Sequence, residues 1–143
     1  MGNPSKKLRV AVVGCGFIGA CHIDAIRRVG QAELVAVADP NEQLRERITE
    51  SHLVEGFEDI DTLLKSAEVD VVHNCTPHFL HKSVNERIIA AGKHVLCEKP
   101  LTTNSEDAAA LLQKLKEKPS IVHCVNFNYR MYPIVQQMKE QSQ

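Results

Sequence analysis

The chain of 143 residues has the length of one ordinary domain, and its hydrophobic (43%) and charged (24%) fractions are those of a globular protein. Its net charge of -1 supplies no basic field for nucleic acid. No apolar run approaches the ~20 residues needed to cross a membrane, and residues 1–6 contain no apolar secretory segment. Five cysteines without paired spacing indicate reduced thiols, as expected in a cytoplasmic protein.

Short β-branched runs alternate along the chain with longer segments of helical period. The runs expected to form strands are Leu8–Val13, Leu34–Ala38, Val69–Asn74, His94–Cys97 and Ile121–Val125, with a weaker one at His52–Val54. The segments expected to form helices are Ile18–Val29, Glu42–Ser51, Ile60–Ser66, Leu80–Ala91, Ser105–Lys116 and Tyr132–Gln143. Continuous apolar runs are typical of parallel strands that are buried on both faces. The order therefore predicts a doubly wound, three-layer αβα sheet of the Rossmann type with right-handed crossovers.

The expected helix boundaries carry ordinary capping residues. The expected N-caps are Asn41, either Asp59 or Asp61, and either Asn104 or Ser105, and Gly92 is expected to end the helix before it.

A glycine-rich hexapeptide joins the first expected strand to the first expected helix. Its residues are Gly14, Cys15, Gly16, Phe17, Ile18 and Gly19. The G-x-G-x-x-G spacing is weak evidence alone, but here it follows an apolar strand and precedes Asp39 by about 20 residues. In a dinucleotide-binding turn Gly14 permits the sharp bend, Gly16 lets a pyrophosphate approach and Gly19 packs the helix against the strand.

Asp39 follows the second expected strand, where its carboxylate can accept hydrogen bonds from the adenosine ribose. A 2′-phosphate would meet a like charge there, so NAD is favoured over NADP. Two alternatives use the same residues: a plain strand-to-helix turn in which Asp39 caps the next helix, and the ribose-binding loop of a methyltransferase.

Three later segments, together with the glycine loop, resemble the Gfo/Idh/MocA family of glucose–fructose oxidoreductase, inositol dehydrogenase and related enzymes. They are Cys75-Thr76-Pro77-His78-Phe79-Leu80-His81, Ala91-Gly92-Lys93-His94-Val95-Leu96-Cys97-Glu98-Lys99-Pro100-Leu101 and Asn126-Phe127-Asn128-Tyr129-Arg130. The resemblance covers nearly the whole chain from Lys7 onward. It implies a Rossmann domain that is followed, in the family, by a second α+β domain carrying much of the substrate site.

The resemblance also implies roles for individual residues. Thr76 and Pro77 would line the cofactor crevice, with His81 supporting their loop. Glu98 and Lys99 would lie beside the nicotinamide, and Lys99 would reach the substrate hydroxyl. Physical chemistry permits that role, because a partly desolvated lysine can accept a hydroxyl proton.

The remaining implied roles lie at the last expected strand and on the first helix. Asn126 would lie near the nicotinamide amide or ribose, and Arg130 at the entrance of the crossover helix. His22 is expected to pack within the first helix. Metal is not expected, since neither Cys75 with His78 and His81 nor His94 with Cys97 has the spacing of a structural zinc site.

We therefore expect a dinucleotide-binding domain over residues 1–125 and, over 126–143, the start of a connection to a second domain that this chain lacks. The expected activity of the parent enzyme is NAD-dependent oxidation of a secondary alcohol on a sugar or polyol, with the short chain inactive alone. Two alternatives stay open, namely a stand-alone NAD-binding regulatory or interaction module and a truncated reading frame. Apolar surface near Tyr129, Met131 and Tyr132 is expected to be exposed and could support a homo-oligomer.

Overall fold

The computed structural model describes residues 6–142, so expectations for residues 1–5 and for Gln143 lie outside the described residues. Six strands are present: β1 (Leu8–Val13), β2 (Ala32–Ala38), β3 (Glu55–Phe57), β4 (Val71–Asn74), β5 (His94–Cys97) and β6 (His123–Val125). Six helices accompany them: α1 (Phe17–Arg28), α2 (Glu42–His52), α3 (Ile60–Ser66), α4 (His81–Ala90), α5 (Ser105–Lys116) and α6 (Pro133–Gln141). Single 3₁₀ turns cover His78–Leu80 and Asn128–Met131.

The six strands form one parallel sheet in the order β3-β2-β1-β4-β5-β6. The chain winds outward from β1 to β3 and then returns to place β4 on the other side of β1. The direction of winding therefore reverses between β1 and β4, and ligands of open α/β sheets bind at the carboxyl ends of the strands beside such a point. The expected doubly wound Rossmann sheet is confirmed.

Side chains alternate between two apolar layers on opposite faces of the sheet. On one face Leu63 of α3, Ile88 of α4 and Leu111 of α5 pack against strand residues that include Val72 and Val95. On the other face, Ile23 of α1 and Ile48 of α2 pack against Val12 and Val37. Each such buried side chain contributes roughly 1.5–3 kcal/mol, so these two layers supply most of the stabilisation of the fold.

The second face is less completely covered over β4, β5 and β6. Val71 and Leu96 are half-buried there, whereas their neighbours Val72 and Val95 on the opposite face are buried. In β6, Cys124 is exposed on the same side and its two neighbours are half-buried. Helix α6 contacts the Asn128–Met131 turn and keeps its apolar residues exposed. The expected exposure of Tyr129, Met131 and Tyr132 is confirmed. Within residues 6–142 no helix is long and apolar enough to span a membrane.

The helix caps agree with the sequence, and the open choices are decided. Asn41, Asp59 and Asn104 accept hydrogen bonds from the backbone N–H groups of the first turns, so Asp61 and Ser105 are not the caps. Gly92 has a φ of 74° directly after α4, as its C-terminal position favours.

The short strand β3 lies three residues later than expected, and the prediction at His52–Val54 was wrong. Helix α2 extends through His52, and Leu53 ends it in the left-handed conformation with a φ of 54°. Left-handed caps are usually glycine or asparagine, so a leucine gave no signal of a helix end.

Candidate functional site

The three glycines of the first loop differ in what surrounds them. Gly14 has a φ of 87°, and a Cβ there would lie 2.6 Å from the Cys75 carbonyl oxygen. A Cβ on Gly19 would lie 2.0 Å from the Gly14 carbonyl oxygen. A Cβ on Gly16 would meet nothing within 4 Å. Packing therefore requires Gly14 and Gly19, whereas the space at Gly16 is open to a ligand.

Asp39 connects the glycine loop to the start of α2. Its Oδ2 accepts a hydrogen bond from the Cys15 N–H at 2.7 Å, and its Oδ1 accepts one from the Asn41 N–H at 2.8 Å. Asn41, not Asp39, caps α2 through a hydrogen bond from the Leu44 N–H. The plain interpretation in which Asp39 caps the next helix is therefore wrong.

A cleft of about 880 Å³ opens between the glycine loop, Asp39 and the loop after β4. Among the residues expected from the sequence to bind the cofactor, those lining it are Gly14, Gly16, Phe17, Ile18, Asp39, Thr76 and Pro77. We call it the adenosine cleft, after the half of the cofactor expected to occupy it.

Cys15 contributes to this cleft through its backbone. Its side chain is buried, and burial together with the nearby Asp39 carboxylate raises the pKa of the thiol to about 12. The side chain therefore stays neutral and packs as a small hydrophobe. Phe17 and Ile18, in contrast, are exposed on the first turn of α1.

His81 lies beneath the loops after β4 and β5 and is fully buried. Its Nε2 is 2.9 Å from the Thr76 carbonyl oxygen and its Nδ1 is 2.6 Å from the Pro100 carbonyl oxygen. The Thr76 hydroxyl donates to Asn74 Oδ1 at 2.7 Å, which fixes the same loop from its other side. These contacts hold the loop after β4 and the loop after β5 in one arrangement.

Four polar residues meet at the carboxyl ends of β4, β5 and β6, and we call them the Glu98 cluster: His22, His73, Glu98 and Asn126. His22 Nε2 lies 3.0 Å from Glu98 Oε1, and the Asn126 amide donates to the same oxygen at 2.5 Å. On its other side His22 Nδ1 lies 3.0 Å from His73 Nδ1. The Lys99 N–H donates to the second oxygen of Glu98 at 3.3 Å.

The hydrogen bonds of the cluster determine its charges. Burial disfavours ionisation of Glu98, but donors from Asn126, His22 and the Lys99 backbone outweigh it and hold the pKa of Glu98 below its usual value. Burial, with a smaller contribution from His22, lowers the pKa of His73 to about 4. At neutral pH the cluster therefore contains an ionised carboxylate and a neutral His73.

A second cleft, of about 620 Å³, runs along α1 over the less covered part of the sheet and has the Glu98 cluster at one end. Lys99 and Asn126 also line this end. We call the whole cleft the nicotinamide cleft. Lys99 is exposed, and within residues 6–142 no carboxylate oxygen lies within 4.0 Å of its ammonium nitrogen.

The structure therefore gathers the singled-out residues into two clefts that share Ile18, with Cys15, Gly19 and His81 buried beside or beneath them. Arg130 lies apart, in the exposed Asn128–Met131 turn. Sequence reasoning missed His73 and did not connect His22 with Glu98. No group of three or more His, Cys, Asp or Glu residues in the described part of the chain could hold a metal ion.

A glycine turn at the switch point, an acid at the end of β2 and a cleft joining them define a dinucleotide-binding Rossmann domain. Residues 8–126 match the family model described as an oxidoreductase family with an NAD-binding Rossmann fold (GFO_IDH_MocA). The chain belongs to this family.

Curated relatives include glucose-6-phosphate 3-dehydrogenase of Bacillus subtilis, 32% identical over 131 residues, and inositol 2-dehydrogenase of Rhizobium meliloti, 34% identical over 126 residues. These alignments cover 92% and 88% of this chain but only 37% and 38% of the relatives. The chain thus spans about two fifths of their length.

Two solved structures share the fold closely. Scyllo-inositol dehydrogenase from Lactobacillus casei, with bound NAD(H) and scyllo-inositol, aligns with a TM-score of 0.90 at 26% identity, covering 95% of this chain and 42% of that one. The WlbA dehydrogenase from Bordetella pertussis, in complex with NADH and UDP-GlcNAcA, aligns with a TM-score of 0.89 at 28% identity, covering 97% and 40%. The expected family and NAD cofactor are confirmed.

Proposed function

We propose that this chain is the cofactor-binding part of a dehydrogenase that oxidises a secondary alcohol on a sugar or polyol, with NAD preferred over NADP. The observation that carries the proposal is the hydrogen bond from the Cys15 N–H of the glycine loop to Asp39, which places both beside the adenosine cleft. The relatives named above, which are dehydrogenases of a sugar phosphate and of inositols, support the substrate class.

The backbone at the start of α1 would bind the pyrophosphate. Gly16 is the N-cap of this helix, no side chain caps it, and its first turn contains no acidic residue. Free N–H groups and the positive end of the helix dipole are therefore available to an anion. The open space above Gly16 lets the phosphates approach closely.

Asp39 would select the cofactor. Each of its oxygens accepts one backbone hydrogen bond, which fixes the carboxylate while leaving lone pairs for the ribose hydroxyls. A 2′-phosphate would place a second negative charge against it, which supports a preference for NAD.

Lys99 would serve the substrate. Bound NAD⁺ would accept a hydride from the carbinol carbon, and the hydroxyl proton must leave to a base within hydrogen-bond reach. Glu98 already accepts three hydrogen bonds, so it suits a structural role better than that of base. Lys99 also lines the nicotinamide cleft, and we assign to it the role of accepting the hydroxyl proton.

A matched pair of glycine substitutions tests cofactor binding. Gly16→Val should abolish NADH binding while the fold survives, because the new side chain occupies the space proposed for the phosphates. Gly30→Val is the control, since a Cβ on Gly30 also meets nothing within 4 Å but lies outside both clefts. Calorimetry with NADH should show parent-like binding for the control alone, and NADH binding by Gly16→Val would contradict the proposal.

A fusion tests the role of Lys99. With the chain joined to the substrate domain of a related dehydrogenase, Lys99→Ala should lower turnover ~100-fold or more at unchanged NADH affinity. Lys65→Ala, at an exposed position of α3, is the control and should turn over like the parent fusion. Full activity of the Lys99→Ala fusion would remove Lys99 from the mechanism.

A further inference from the structure

We infer that His22 is a positioning residue for the nicotinamide half of the cofactor site, acting by holding Glu98 and Asn126 in place. The inference rests on the proposed function and adds to it a residue of α1 that belongs to neither the glycine motif nor the segments around Lys99 and Asn126.

His22 is the polar connection between α1 and the far half of the sheet. Within residues 6–142, the hydrogen bond from α1 to the residues following β5 and β6 runs from the His22 ring to Glu98 Oε1 at 3.0 Å. The Asn126 amide, which donates to the same oxygen, lies 3.4 Å from His22 Nε2. The residues that it joins are 76 and 104 positions away in the sequence. Removing the ring would leave Glu98 and Asn126 joined to each other but not to α1.

The protonation of the cluster makes His22 a permanent donor to Glu98. Glu98 is ionised, so its Oε1 accepts a hydrogen bond from the Nε2–H of His22. A neutral His22 accepts at Nδ1 from the Nδ1–H of His73, and a charged His22 donates there to a neutral His73. Because the ionised Glu98 carboxylate can only accept, the proton lies on Nε2 in either case, and His73 meets Nδ1 through its own tautomer.

The groups around this pair are few. His22 faces His73 from β4, Glu98 from the segment after β5 and Asn126 from the segment after β6. Glu98 is the only carboxylate of the described residues within 4.0 Å of a histidine nitrogen. His22 therefore orients a single charge, the Glu98 carboxylate, which also accepts a hydrogen bond from the Lys99 N–H.

Helix α1 does not need His22 in order to pack. Ile23 and Ile26 bury their side chains against the sheet, and Gly19 packs against the glycine turn at the other end of the helix. Loss of the imidazole should therefore leave the adenosine cleft intact. Its effect should appear only where Glu98 and Asn126 meet the cofactor, at the nicotinamide.

Comparison of two ligands isolates that effect. ADP-ribose contains the adenosine, pyrophosphate and second ribose but no nicotinamide, so the ratio of its Kd to that of NADH reports the nicotinamide contribution. His22→Ala should reduce this ratio about tenfold while ADP-ribose affinity stays within about twofold of the parent, since a charged hydrogen bond is lost. His22→Gln, whose amide supplies a replacement donor, should recover most of the ratio.

His52→Ala is the control, because His52 contacts Arg27 at the surface and lines neither cleft. Thermal unfolding of each variant checks the fold, and His22→Asn, whose side chain is too short for Glu98, replaces His22→Ala if the latter does not fold. An unchanged ratio in His22→Ala, or equal weakening of both ligands, would overturn the inference and leave the proposed function standing. Failure of the parent chain to bind either ligand would overturn the proposed function, and the inference with it.

Discussion

The two clefts are built in different ways. The adenosine cleft is shaped by the main chain: the left-handed Gly14, the open Gly16 and the N–H groups of Cys15 and Asn41 that fix Asp39. The nicotinamide cleft is shaped by side chains, since the Glu98 cluster is held by bonds among two imidazoles, an amide and a carboxylate. Binding in the first cleft should therefore depend on its backbone, on the open space above Gly16 and on the Asp39 carboxylate, whereas binding in the second should depend on several side chains that hold one another.

The comparison explains how much of the site the sequence alone could predict. The glycine loop and Asp39 of the adenosine cleft lie within 26 residues of one another in the chain, and their spacing indicated their roles. The Glu98 cluster draws on four parts of the chain, and its other three residues are 51, 76 and 104 positions from His22. The family resemblance indicated Glu98 and Asn126, but no motif connected them with His22 and His73. Hydrophobic periodicity placed His73 on β4, but it carries no information on which residue of the covering helix His73 contacts.

The same reasoning applies to the fold. The doubly wound parallel sheet follows from the alternation of strands and helices, because parallel crossovers permit few arrangements. The strand order itself is seen only in the structure. The position of β3 depended on Leu53 ending α2 in a conformation that leucine rarely adopts, and local sequence gave no sign of it.

The largest expected effect separates the two kinds of glycine within the glycine loop, the one that packing requires and the one that lies open to the adenosine cleft. Gly19→Ala should lower the free energy of unfolding by ~3 kcal/mol or more, because its Cβ would lie 2.0 Å from the Gly14 carbonyl oxygen and backbone must move. Gly16→Ala, the matched control, should change it by less than ~0.5 kcal/mol. Urea unfolding of both variants measures the difference, and equal stabilities would contradict the packing described for α1.

A smaller effect concerns selectivity at Asp39. Asp39→Asn should reduce the preference for NADH over NADPH about tenfold, or ~1.4 kcal/mol, because the repulsion of the 2′-phosphate disappears. Asp61→Asn makes the same change at a half-exposed carboxylate outside the cleft and should leave the preference unaltered. Calorimetric Kd values for NADH and NADPH measure this preference in each variant. An undiminished preference in Asp39→Asn would show that Asp39 is not the residue that selects NADH.

The smallest effect lies away from both clefts. Asp70 accepts hydrogen bonds from the Arg9 guanidinium at 2.7 and 3.1 Å and from the Arg9 N–H, and these bonds hold the pKa of Asp70 well below its usual value. Asp70→Asn should therefore cost about 1 kcal/mol of stability at pH 7 and leave cofactor affinity unchanged.

The pH dependence of that loss has a definite sign. A depressed carboxylate pKa stabilises the fold above the ordinary aspartate range and ceases to do so as pH falls towards the depressed value. The difference in unfolding free energy between parent and Asp70→Asn should shrink as the pH falls from 5 towards 2. A difference that grows on acidification would contradict the ion pair as the cause.

The most direct measurement of the central claim is a calorimetric titration of the unmodified chain with NADH and, separately, with NADPH. We expect one NADH to bind per chain, at least tenfold more tightly than NADPH, because the backbone of the glycine loop binds the pyrophosphate and Asp39 repels a 2′-phosphate. Equal affinities for the two cofactors would contradict the role of Asp39, and the absence of binding by either would contradict the proposed cofactor site as a whole.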